Sequence, residues 1–118
     1  MNVIIKKCYD YDFGLVKQKI KEIMDELDLL NKINANSKVF IKLNCVGPFD
    51  YSLGITTHPV ILKAVLELVK EKTNNIIVGD NPATRDITFT LKKCGLYDII
   101  KQYDANIIDG KIFTKIYN

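Results

Sequence analysis

Hydrophobic positions fall into short apolar runs and longer stretches of helical spacing, and their alternation sets the outline of the chain. Asn2 to Cys8 is rich in β-branched residues and predicts a first strand. Tyr9 to Tyr11 turns the chain, with Asp10 or Asp12 as a helix cap. Phe13, Val16, Ile20, Ile23, Met24, Leu27 and Leu30 then recur at helical spacing, with Lys17, Lys21, Asp25 and Glu26 on the other face. This predicts an amphipathic helix of about five turns lying on a sheet. Three asparagines between Leu29 and Ser37 stop it. Val39 to Leu43 is a nearly continuous apolar run interrupted by Lys42, the pattern of a strand covered on both faces.

Cys45 to Thr56 is a long loop holding Gly47, Pro48 and Gly54. Thr57-His58-Pro59 opens the next helix, with Thr57 as its cap and proline in the first turn. Ile61, Ala64, Val65 and Leu68 line one face of that helix, and Leu62, Leu66 and Val69 widen it. Asn75 to Val78 is a second core strand. Thr84 is the expected cap of a third helix that runs to Cys94 and stops at Gly95. Leu96 to Tyr103 is a short helix and Asn106 to Ile108 a last parallel-type strand. Asp109-Gly110 is a turn signal, with residues 111–117 as the antiparallel partner. The pattern predicts a single α/β domain over residues 1–118. Its expected architecture is a three-layer, Rossmann-like, mostly parallel sheet of four or five strands, with crossover helices and a C-terminal hairpin.

Composition narrows the classes. With 47% hydrophobic and 26% charged residues, the 118-residue chain reads as a soluble globular domain. Its net charge of +3 comes from scattered lysines, so no basic stripe for nucleic acid appears. No run approaches the ~20 apolar residues of a membrane span. The N-terminal apolar run is too short for a signal peptide. Three widely spaced cysteines without a C-x-x-C argue against a disulfide framework and suit a reducing cytoplasm.

The candidate chemistry gathers at two strand ends and one helix start. Lys42 and Asn44 share a face at the end of the first core strand, where they can hold and orient an anion, or simply finish the strand and its loop. Thr56, Thr57 and His58 stand at the helix N-terminus. His58, the only histidine, is a candidate acid–base group or anion donor, or a residue that packs the loop. Asp80 and Asn81 end the next strand, as a ligand contact, a partner for Lys42, or an Asx-turn before Pro82. The catalytic candidates are Lys42, His58 and Asp80; the ligand-binding set adds Asn44, Thr56, Thr57 and Asn81. No ligand spacing for zinc or an iron–sulfur cluster is present, and no Gly-rich dinucleotide fingerprint or Walker-type loop occurs. No metal site is therefore expected, and no cofactor can be named.

The segments IKLN (41–44), VGP (46–48), GITTHP (54–59) and VGD (78–80), with Gly95-Leu96-Tyr97, resemble the domain of unknown function 362 family in both wording and spacing. The resemblance runs roughly from Val3 to Gly110 and covers only the N-terminal part of that family. Many longer members carry a ferredoxin-like iron–sulfur segment, so the resemblance implies a truncated or split member without cluster ligands. Three readings follow. One is a small-anion binding site or enzyme half-site at the carboxyl ends of the strands. Another is an interaction module that completes its fold as a homodimer, or with a partner chain, through residues 111–117. The third is a redox accessory to an iron–sulfur partner.

Overall fold

The computed structural model of the chain describes residues 2–81 and 86–109. In chain order it contains α1 (Phe13–Glu26), β1 (Val39–Lys42), α2 (Pro59–Lys70), β2 (Ile76–Asp80), α3 (Ile87–Lys93), α4 (Tyr97–Gln102) and β3 (Asn106–Asp109). Single 3₁₀ turns at Leu30–Lys32 and Tyr51–Leu53 lie in the connections. The three strands form one parallel sheet in the order β1-β2-β3. Val39 to Lys42 pair with Ile76 to Gly79, and Ile77 to Asp80 pair with Asn106 to Asp109.

Parallel strands need crossovers, and α2 and the α3–α4 pair supply them. Because α2 touches α4 and α4 touches β3, these helices share one face of the sheet. Their apolar stripes close over Ile76 and Val78 of the central strand, with Leu43, Leu62, Leu66, Leu91, Leu96 and Ile100 in the core. Val39, Ile41 and Ile107 join from the same face. Gly79 sits where β2 and β3 leave no room for a side chain: a methyl group there would run into the Ile108 carbonyl.

Several expectations shift. Asn2 to Cys8 is not a strand. Val3 and Ile5 are 80% and 88% exposed, and the segment reaches the body through Lys6, which pairs with Glu26 at 2.5 Å. β-Branched composition favours extended backbone but supplies no neighbouring strand to pair with. The first helix ends at Glu26, earlier than the asparagine-rich stretch, because Asp28 turns left-handed (φ 56°) and Leu29 N–H bonds back to Met24. That helix packs on α2, burying Val16. Its cap is Asp12, whose carboxylate accepts the Leu15 N–H at 3.0 Å.

The second helix is capped by His58, not by Thr57. Asp86 caps α3, accepting the Thr88 N–H at 2.9 Å; Thr84 lies outside the described residues. Gly95 ends that helix segment at φ 79°, as its position implies. The expected hairpin strand at 111–117 lies outside the described residues. Among the described residues the sheet has three strands, and no helix is long and apolar enough to cross a membrane.

Candidate functional site

β1 and β2 run in the same direction, so their carboxyl ends share one edge, and Lys42 and Asp80 meet there. Lys42 Nζ lies 2.5 Å from Asp80 Oδ1 and donates to the Leu43 carbonyl at 2.7 Å. The two partners differ sharply in exposure: the Lys42 side chain is 61% exposed and that of Asp80 9%. The other Asp80 oxygen accepts the Cys45 backbone N–H at 2.6 Å, and the Asn81 N–H also donates to this carboxylate. Burial alone would push the Asp80 carboxyl up. The Lys42 ammonium and the two backbone donors outweigh it and hold the group below its ordinary value.

Asn44 and Thr57 close the neck of the long loop. The Asn44 N–H donates to Thr57 Oγ1 and the Thr57 N–H to the Asn44 carbonyl, each at 2.9 Å. Asn44 Nδ2 donates to the Ile55 carbonyl at 3.2 Å. The Thr57 hydroxyl is thus taken by the loop, which is why the helix cap falls to the next residue. Beside it, the Thr56 hydroxyl is buried without a hydrogen-bond partner among the described residues. The loop is ordered internally: Asp50 accepts the Ser52 N–H at 2.9 Å, and Gly54 closes the turn at φ 74°. It carries Val46, Phe49, Tyr51, Leu53 and Ile55 to the surface.

His58 sits at the same edge but is built into the scaffold. Its Nδ1 accepts the Val60 N–H at 3.1 Å, which leaves the proton of the neutral ring on Nε2. Tyr11 stacks on the imidazole at 3.6 Å, and Tyr51 meets it edge-on at 4.8 Å. Burial lowers the His58 pKa.

The structure therefore joins Lys42 directly to Asp80. Asn44 is linked to Asp80 through Cys45, and Thr57 to Asn44. No hydrogen bond joins His58 to the Lys42–Asp80 pair. Sequence reasoning missed the Cys45 backbone amide and the Tyr11 and Tyr51 rings. Nothing in the spacing of Tyr11 and His58 could signal a stack between residues so far apart. Two grooves of about 380 and 490 Å³ lie elsewhere, under residues 6–11 and between Met24 and Ile41, and neither is lined by Lys42, Asn44 or Asp80. Among the described residues no group of three or more His, Cys, Asp or Glu side chains gathers as a metal site.

A family model described as Domain of unknown function (DUF362) matches residues 39–115. That span begins at β1 and contains the Lys42–Asp80 pair, the loop and both crossovers. No curated protein and no solved structure matches the chain.

Proposed function

From the premise that this chain belongs to the domain of unknown function 362 family, we propose that the carboxyl edge of its sheet binds a small anionic ligand. One observation carries the reading: a lysine ammonium is fixed at the strand end by Asp80 and the Leu43 carbonyl, yet stays exposed to solvent. A flexible lysine spends rotamer entropy on binding; one already held in place spends less. Lys42 is the anion contact and Asp80 its positioning partner. Asn44 and Thr57 hold the loop that borders the site. Thr56, Asn81 and the Nε2–H of His58 are the neighbouring donors. Open α/β sheets place ligands at such edges. A half-site for catalysis would draw on the same Lys42, His58 and Asp80.

The test is a titration of ¹⁵N-labelled protein with inorganic phosphate and, separately, with succinate. Saturable amide shifts at Lys42, Asn44, Cys45 and Asn81, lost in Lys42→Gln, support the reading. Absent shifts, or shifts indifferent to that substitution, reject it.

A second reading, an interaction module, is favoured by the five exposed apolar side chains of the 45–56 loop. It goes with a fuller Rossmann-like sheet of four or five strands and with a homodimer or partner chain contacting residues 111–117. Light scattering at micromolar concentration tests it, and a clean monomer rejects the homodimer. The three unpaired thiols favour a reducing compartment such as the cytoplasm.

A further inference from the structure

We infer that Cys45 and Cys94 form a reversible disulfide that locks the 45–56 loop against the C-terminal end of α3. Of the three free cysteines, Cys8 is exposed, whereas Cys45 and Cys94 are both 0% exposed. The buried two come from distant parts of the chain and meet under the loop. Both side chains belong to one buried cluster, and the Cys94 thiol donates at 3.3 Å to the carbonyl of Gly47, two residues after Cys45. Cys45 is the root of the loop, and its backbone N–H holds Asp80. Cys94 caps α3, immediately before the left-handed turn at Gly95. A bond between these sulfurs would join the loop root to the helix end.

Cys45 is inert while the loop is closed. Burial pushes the Cys45 thiol up to about 12, with Cys94 and Asp80 adding to it, so almost no thiolate exists at neutral pH. Exchange therefore runs through local opening of the loop. In the open form one cysteine thiolate attacks a sulfur of oxidised glutathione and expels one glutathione thiolate. The second protein thiolate then attacks the cysteine sulfur of that mixed disulfide and expels the other glutathione. Two protein thiols are oxidised, one glutathione disulfide is reduced to two thiols, and the two protons pass to the departing glutathiones. Oxidation also removes the thiol donor from the Gly47 carbonyl. This loss counts against the disulfide and keeps it reducible.

The experiment uses the full chain carrying Cys8→Ser. It is equilibrated with oxidised glutathione, quenched in acid, denatured, alkylated with N-ethylmaleimide and weighed intact. The expected product takes up no alkyl group, weighs two hydrogens less than the reduced protein, and returns to the dialkylated form after dithiothreitol. Amide hydrogen exchange across residues 46–56 should slow by about tenfold or more in the oxidised form. With Cys94→Ser added, which keeps a donor for Gly47, one glutathione adduct and no mass loss are expected. Two alkylated thiols or two glutathione adducts at equilibrium would overturn the inference. So would a disulfide that leaves exchange in the loop unchanged.

Discussion

Asp80 accepts from one ammonium and two backbone amides, and the two kinds of partner do not weigh the same. The ion pair ends in an exposed lysine and is screened, so Lys42→Ala should cost about 0.2–1 kcal/mol. Asp80→Ala strands the Cys45 amide as well and should cost about 1–3 kcal/mol, read from urea unfolding. Because the folded Asp80 carboxyl is held below its ordinary 3.8, its contribution is present above that value. It disappears as pH falls through the lower folded value. His58 acts in a different window. Its folded pKa lies below the ordinary 6.5, so the unfolded chain binds the proton more readily and stability declines as pH drops through 6.5. His58→Asn keeps a capping side chain that does not titrate and should flatten that slope. His58→Ala should lose about 0.5–2 kcal/mol at neutral pH. The pairing of Lys42 with Asp80 was legible in the sequence, since strand–helix–strand order brings two strand ends to one edge. The choice between Thr57 and His58 as cap was not. It depends on whether Asn44, thirteen residues upstream, claims the threonine hydroxyl.

Among elements, Glu67 joins three helices. Its carboxylate binds Lys17 of α1 and the Tyr103 hydroxyl beyond α4, each at 2.6 Å. Burial first, and then Glu67, push the Tyr103 hydroxyl up to about 12. This contribution is complete below pH 10 and is lost as pH rises towards 12. Glu67→Gln should move the slowest-titrating tyrosine to lower pH in an ultraviolet titration. The opposite shift, or none, would show that Glu67 does not carry the effect. The strands depend on close approach more than on charge. Gly79→Ala places a methyl group against the Ile108 backbone and should cost about 1–3 kcal/mol or more by forcing β2 and β3 apart. Both crossovers and all three described strands could be read from apolar periodicity, because burial against helices leaves a regular trace. The placement of α1 could not. An amphipathic stripe says that a face is buried, not whether a sheet or another helix buries it.

For the molecule as a whole, the same limit explains residues 2–8. Their composition suits a strand, but a strand is a property of two chain segments and the described fold offers this one no partner. Val3→Ser with Ile5→Ser should therefore change unfolding free energy by less than about 0.5 kcal/mol. A loss of several times that would mean these side chains are buried in solution. The neck of the 45–56 loop has the opposite character. The bonds between Asn44 and Thr57 tie the end of β1 to the start of α2 at the base of the loop, and Cys45, Gly47 and Tyr51 anchor its inner side. Loop closure entropy grows slowly, by only about 0.6 kcal/mol for each doubling of length. The exposed tip at Leu53 and Gly54 is thus the point of the loop where a change of length should disturb the sheet edge least.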